Sequence, residues 1–305
     1  MEFALTTRWN AGRHTSGEAM LREILELGFR RVELGFDLRA DLVAGVKKLV
    51  ATDAVRVDSL HNFCPLPVGV VKATPEIFTF ADSDSGVRTA AVRHTEKTIR
   101  FAAEIGARFV VAHAGYVEMP KLTDQLLEMF ERSGPGSPAY EKTRQRLLDL
   151  RAKGAARHLG WLRQGLDQLL PLLNETGVTL GLEILPWWEA LPAETEMETL
   201  LRAYDTPRLR CWYDVGHARI RENLMQSSSL RWLERLRPLI AGYHLHDAQP
   251  PARDHLMPPQ GRIDFAAMRE YLAPEALLVM EPAPNTPAAS VASGLAYLQK
   301  TWSTA

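Results

Sequence analysis

Residues 178–185 read Val178-Thr179-Leu180-Gly181-Leu182-Glu183-Ile184-Leu185, and residues 209–217 read Leu209-Arg210-Cys211-Trp212-Tyr213-Asp214-Val215-Gly216-His217. Each is a short apolar run with a carboxylate near its C-terminal end, and an amphipathic stretch follows each. A continuous apolar run of this length suits a strand buried on both faces, as in a parallel sheet. The pattern recurs. Strands are expected at 3–9, 31–36, 55–63, 108–115, 178–185, 209–215, 241–247 and 276–282. Helical patterns fall between them near 17–27, 40–51, 88–105, 140–175, 194–204, 228–237, 263–272 and 287–300. Gly28, Gly106 and Gly177 each follow a helical run and precede a strand, where a left-handed helix cap belongs. Eight strand–helix units in one chain predict a closed (β/α)8 TIM barrel, an α/β fold, as a single domain over 1–305. The rival, a doubly wound open sheet, would carry a glycine-rich phosphate loop after its first strand. Thr6-Thr7-Arg8-Trp9-Asn10-Ala11-Gly12 is not one.

One stretch interrupts the alternation. Residues 117–140, between the fourth and fifth strands, include Ser133-Gly134-Pro135-Gly136-Ser137-Pro138. This insertion reads either as a lid over the barrel mouth or as a solvent-facing excursion.

Composition narrows the function classes. The chain has 305 residues, 46% hydrophobic and 24% charged, which is the make-up of a folded globule and excludes disorder, collagen and coiled coil. With 36 basic and 37 acidic residues, no global charge draws it to nucleic acid or anionic lipid. Two cysteines, Cys64 and Cys211, are too few for a secreted disulfide scaffold. The N-terminal residues lack the pattern of a signal peptide, and no apolar run approaches the roughly 20 residues of a membrane span. A cytoplasmic protein with no membrane or nucleic-acid partner is expected.

In a TIM barrel, chemistry sits at the C-terminal ends of the strands. Six histidines, His61, His113, His217, His244, His246 and His255, fall at or just past those ends. So do Glu183, Asp214 and Glu281, on three different strands. An ionised carboxylate within an apolar strand is costly unless compensated. One divalent cation would compensate all three. Glu183, Asp214, His244 and Glu281 form a hard, oxygen-rich donor set that suits Mn2+, Mg2+ or Co2+, while a set extended by further histidines suits Zn2+. Singly, each residue also has a structural reading, as a hydrogen-bonded strand-end histidine or a carboxylate paired with an arginine. Glu33, on the second strand, either lines the pocket or pairs with such an arginine.

With these residues in view, the chain resembles the xylose-isomerase-like TIM-barrel superfamily, which holds sugar isomerases and epimerases, inosose dehydratases, hydroxypyruvate isomerase and endonuclease IV. The resemblance runs the length of the chain, apart from 117–140, and is specific at the strand ends. It implies a single metal held, as in ketose 3-epimerases, by Glu183, Asp214, His244 and Glu281. His244 is chosen over His246 because the family's metal-binding histidine is followed three residues later by an acid, here Asp247. His246 is then expected one pleat further out, facing substrate or supporting the ligands. Glu189, six residues after Glu183, and His217, three after Asp214, match the sugar branch. Trp187 and Trp188 read either as stacking platforms for a sugar or as rim packing.

The resemblance implies proton transfer on a keto-sugar or related polyol through an enediolate-like intermediate. Glu183 and Glu281 are the expected acid–base pair, and His61, His113, Glu189, His217, His246, Arg253 and His255 are expected substrate contacts. Epimerase, isomerase, and lyase or dehydratase outcomes share these ligands and stay open. A zinc phosphodiesterase like endonuclease IV also stays open, because His61, His113, Glu183, Asp214, His217, His244, Asp254, His255 and Glu281 supply its ligand types. Asp254 and His255 would then serve an additional metal. Two departures weigh against it. Ile184-Leu185-Pro186-Trp187 stands where that family has Asn-Thr-Ala-Gly, and Asp254 and His255 are adjacent where it separates them by one residue. A non-catalytic barrel that kept the fold is the remaining class, although a disused site has no reason to retain buried charges. A sugar-like, unphosphorylated small molecule and a homo-oligomer are the expected partners.

Overall fold

A computed structural model describes residues 1–225 and 227–303. Eight parallel strands close into a barrel: β1 (Phe3–Thr6), β2 (Arg31–Leu34), β3 (Arg56–His61), β4 (Phe109–Ala112), β5 (Thr179–Glu183), β6 (Leu209–Asp214), β7 (Ile240–Leu245) and, last in the chain, β10 (Leu277–Met280). Neighbours in sequence are neighbours in space, and β1 pairs with β10 to complete the ring. The TIM barrel is therefore the observed fold. A two-stranded antiparallel hairpin, β8 (Asp247–Gln249) and β9 (Arg253–Leu256), rises from the end of β7.

Period-two alternation sorts each strand's side chains between two layers. Outward residues such as Leu5, Val32, Leu60, Val110, Leu180, Leu182, Cys211, Tyr213, Tyr243 and Met280 pack in the main hydrophobic core with the surrounding helices. Inward residues are fewer, and Ala4, Val111, Trp212, Leu277 and Val279 form a separate cluster. Trp212 fills that interior, and its neighbours make room for it. A Cβ on Gly242 would lie 2.3 Å from Trp212, and one on Gly181 would lie 3.0 Å away. The parity then continues upward. Two residues beyond Gly181, Trp212, Gly242 and Val279 come Glu183, Asp214, His244 and Glu281. The apolar plug and the polar cluster are successive layers of one barrel interior.

Helices flank the barrel: α1 (Gly17–Glu26), α2 (Val43–Ala51), α3 (Ser85–Glu104), α4 (Leu122–Ser133), α5 (Pro138–Thr176), α6 (Glu194–Tyr204), α7 (Val215–Met225), α8 (Ser229–Leu236), α9 (Phe265–Met268) and α10 (Ala288–Ser303). None among the described residues is long and apolar enough to cross a membrane. The expected glycine caps hold left-handed backbone, with φ of +88° at Gly28, +77° at Gly106 and +75° at Gly177. Gly177 ends α5, the longest helix, which Ser137 opens by accepting the Tyr140 N–H and which carries Pro138 in its first turn.

Several expected boundaries differ. Thr7–Trp9, placed in the first strand, is a 3-10 turn, and Asp247, placed in the seventh, begins the hairpin instead. The helix expected at 263–272 is one turn of α-helix followed by a 3-10 turn. Helix α7 follows Asp214 directly, where no helical pattern was marked before 228. The stretch 117–140 contains α4. Leu122 and Leu126 of α4, Tyr140 and Leu147 of α5, and Ile220 and Leu224 of α7 make a small core beside the barrel.

The fit of Trp212 between two glycines predicts a specific fragility. Gly242→Ala should overpack the interior and cost about 1–3 kcal/mol, seen as a lower urea midpoint at unchanged slope. Trp212→Phe in the same chain should recover part of the loss. An unchanged midpoint for Gly242→Ala would show that Trp212 repacks freely.

Candidate functional site

The upper layer of the barrel brings four side chains to one point. One potential ligand atom from each of Glu183, Asp214, His244 and Glu281 lies within 4.8 Å of the others, and all four residues are buried. Three carboxylates sharing so small a volume must be balanced by positive charge. Within the cluster the balance falls on the imidazoles. Burial alone would raise the Glu183 carboxyl, but the neighbouring His244 and His113 outweigh it and hold it well below the usual range. Glu281 is likewise held low against its own burial by His244, His255 and Arg8. Conversely, burial would lower His244, but Glu281, Glu33 and Glu183 raise it well above an ordinary histidine.

The geometry of His244 bears on whether a cation fits. Its Nδ1 faces the cluster, 3.1 Å from Glu183, 3.4 Å from Glu281 and 3.8 Å from Asp214. Its Nε2 points the other way, 3.1 Å from Glu33. Glu33 in turn accepts a 2.8 Å hydrogen bond from Ser59 Oγ. A carboxylate that holds the far nitrogen of an imidazole fixes its tautomer and aims the near one, which is how metal-binding histidines are usually supported. Glu33 is wholly buried and works from behind the cluster, so it neither faces the pocket nor pairs with an arginine. The donor set, its charge and this backing all fit a hard divalent cation.

Two further groups converge nearby. His61 Nε2 and His113 Nε2 lie 3.1 Å and 3.0 Å from the same Glu183 oxygen. Their other nitrogens are held too, His61 Nδ1 by its neighbour's carbonyl at Asn62 and His113 Nδ1 by Glu76 at 2.6 Å. Burial lowers His113, yet Glu76 and Glu183 carry it to about 10. His217, His246 and His255 form the third group. There His246 has both nitrogens engaged: Nε2 with Asp214 at 3.0 Å, and Nδ1 accepting the His255 N–H at 2.9 Å.

The expected substrate contacts divide accordingly. His61, His113, His217, Asp254 and His255 line a cavity of about 490 Å3, together with Glu183 and Glu281. His246 is fully buried behind Asp214 and is not part of the cavity wall. Gly216 makes space for it, since a Cβ there would lie 2.0 Å from the His246 ring. Glu189 spends both carboxylate oxygens on Thr123, on its N–H and its hydroxyl, at the start of α4. Arg253 sits exposed on the hairpin, outside the cavity lining. Trp188 lies beneath Arg221 as packing, whereas Trp187 lines the cavity and is 40% exposed.

The cavity also has walls that sequence reading did not assign. Arg8, from the turn after β1, reaches Glu281 at 3.4 Å. Asp37 follows β2; its Oδ1 is buried without a partner, and burial raises its carboxyl. Lys72 and Glu76 come from the loop after β3. Arg8 falls near the end of the expected first strand and Asp37 just past the second, neither singled out as a site residue, and Lys72 and Glu76 lie in a loop that the strand-end pattern does not cover. His255 has left-handed backbone (φ +51°), a rare conformation for a non-glycine residue. Burial and the adjacent His246 push it down to about 4, while Glu281 and Asp254 pull the other way.

Because His244 carries a proton when only carboxylates surround it, a cation must displace that proton. Titrating chelated, metal-free protein with Mn2+ should therefore give an affinity that rises steadily from pH 6 to pH 8, with proton release on binding. Glu33→Gln should weaken uptake by about 10–100-fold. Uptake independent of pH would refute this picture of the cluster.

Residues 21–301 match the family described as Xylose isomerase-like TIM barrel. No curated protein matches in sequence. Among solved structures, a D-tagatose 3-epimerase-like protein superposes with a TM-score of 0.70 at 18% identity, covering 99% of this chain and 98% of its own. The 3-keto-D-glucoside 4-epimerase of E. coli gives 0.68 at 18% identity over 98% and 99%. The IolI protein, solved with a zinc atom, gives 0.65 at 13% identity over 100% of both chains. With the barrel, its strand-end cluster and a match over most of its length, the chain belongs to the xylose-isomerase-like TIM-barrel family.

Proposed function

We propose that this protein is a divalent-metal-dependent isomerase or epimerase of a keto-sugar or related polyol. The observation that carries the reading is the pairing of Glu183 and Glu281. Both are held ionised in one buried cluster, and both line the same cavity. Two carboxylates reaching one substrate from different strands are what stepwise proton removal and return require. The structural likeness to a D-tagatose 3-epimerase-like protein and to a 3-keto-D-glucoside 4-epimerase agrees with it.

A cation held by Glu183, Asp214, His244 and Glu281 would supply Lewis acidity, lowering the cost of negative charge on a carbonyl oxygen and its neighbouring hydroxyl. The rest is done by the chain. Glu183 takes the proton from the carbon beside the carbonyl, and His61 and His113, both within 3.1 Å of its Oε2, hold that carboxylate in place. For inversion Glu281, steadied by Arg8, first takes up a proton from cavity water and delivers it to the opposite face, while Glu183 gives its own proton back to that water. Return to the same carbon inverts it, and return to its neighbour moves the carbonyl. Asp37 and His217, both in the cavity wall, are placed to meet substrate hydroxyls.

A second reading, a zinc phosphodiesterase, is favoured by one observation. His61 and His113 aim their Nε2 atoms at the same Glu183 oxygen, with both distal nitrogens already held. That is a second prepared cation site. The third histidine group is not prepared, because His246 has no nitrogen to spare.

Metal content and isotope exchange separate the readings. Protein purified without added metal or chelator should carry about one equivalent of manganese, cobalt or magnesium. In D2O it should place deuterium beside the carbonyl of a keto-sugar, and Glu183→Gln and Glu281→Gln should each slow this by about 100–10,000-fold. Two equivalents of zinc, with cleavage of abasic DNA and no exchange into any ketose, would overturn the proposal in favour of the second reading.

A further inference from the structure

The cleft does not end at the cluster. A second cavity, about 510 Å3, adjoins the first and shares Glu76 and Trp187 with it. Its other walls are Tyr116, Val117, Glu118, Met119, Lys121, Asp124 and Glu189. Either cavity alone falls within the range of about 300–1,000 Å3 that accommodates a complete small molecule. The reacting sugar therefore leaves the outer chamber to something else.

The outer wall is built rather than draped. Tyr116 bridges to Ala190 in antiparallel fashion, Val117 N–H donates to the Glu189 carbonyl, and Leu191 N–H donates to Gly115. The Glu189 carboxylate clamps Thr123 from below. Glu189, matched to a sugar-site position by sequence, thus acts on this second wall. The lining is amphipathic in the way a pyranose is. Trp187 offers an indole face beside Tyr116, their ring centroids 6.5 Å apart and edge to face. Asp124 fixes the indole by accepting from Nε1 at 3.2 Å. Glu118, Lys121 and Asp124 surround this apolar patch with charged hydrogen-bonding groups. An exposed aromatic face ringed by such groups presents an apolar body to a sugar ring and polar tips to its hydroxyls.

We infer that the substrate has two linked rings, a keto-glycoside whose reacting unit sits at the Glu183–Glu281 end and whose second ring stacks on Trp187 in the outer chamber. This rests on the keto-sugar reading above and names its substrate class. Glu76 stands at the junction. Its carboxylate accepts from Tyr116 OH at 3.3 Å and contacts His113 at 2.6 Å, which places it beside the glycosidic linkage, between the residues that hold the two rings.

The test is equilibrium titration of manganese-loaded protein with fructose and with two keto-disaccharides, lactulose and isomaltulose. At least one disaccharide should bind about tenfold or more tightly than fructose, a difference well within the reach of one stacked ring. Met119→Trp should fill the outer chamber and bring disaccharide affinity down to that of fructose. Glu118→Trp, at an exposed position, should do the same without touching buried packing. Fructose binding should be unchanged in both, which also reports an intact inner site. Fructose binding as tightly as both disaccharides would overturn the inference, and so would variants that weaken all three sugars alike. Deuterium exchange into the same sugars is read separately. Its absence, with disaccharide selectivity intact, would count against the proton-transfer reaction and leave the two-ring site standing.

Discussion

Everything above the apolar plug of the barrel depends on keeping like charges together in a buried space. Glu183, Asp214 and Glu281 are each no more than 3% exposed, and their oxygens converge on one point. Left unbalanced, such a layer would protonate or open the barrel. The surrounding residues are arranged to prevent both. His244 stands between the carboxylates, Glu33 holds it from behind, and Ser59 holds Glu33. His246 closes on Asp214, while His61 and His113 close on Glu183. Much of the unusual local structure serves this balance. Gly216 is small because His246 needs the space, and the hairpin after β7 is ordered partly because the His255 N–H completes the His246 ring.

The same constraint explains why the fold and the central four residues could be read from sequence. In a parallel barrel the strand interior has only one parity. A carboxylate two residues beyond a glycine, tryptophan or valine that packs inside must itself face inside. Glu183, Asp214, His244 and Glu281 all obey this rule relative to Gly181, Trp212, Gly242 and Val279. The apolar strands could be recognised because burial on both faces leaves few polar positions, and the exceptions stand out.

What could not be read follows from where the rule stops. His246 continues the parity of His244, which suggests a cavity-facing side chain. The barrel strand, however, ends at Leu245, and Asp247 starts the hairpin. Asp247 then accepts N–H groups from Ala248, Gly261 and Ile263, which draws the following loop inward and leaves His246 buried behind Asp214. Beyond a strand end, alternation no longer says where a side chain points. Arg8, Asp37 and Glu76 escape for the same reason, since they come from turns and loops whose path tertiary contacts set. Glu189 is a different case. Its spacing from Glu183 matches a sugar site, but α4, an element with no counterpart in the eight-unit repeat, supplies Thr123 to take up its oxygens.

The addition of α4 therefore changes the chemistry of the cleft and not just its outline. By engaging Glu189, the segment from Tyr116 to Asp124 makes that residue the support of a second wall. It also brings Asp124 beneath the Trp187 indole. Trp187 lies only four residues after Glu183, in the segment that leaves β5, so the chain runs directly from the central carboxylate to the indole of the outer wall. A ligand bridging the two chambers would touch both ends of this short segment, whose far end is held by the Trp187 hydrogen bond to Asp124.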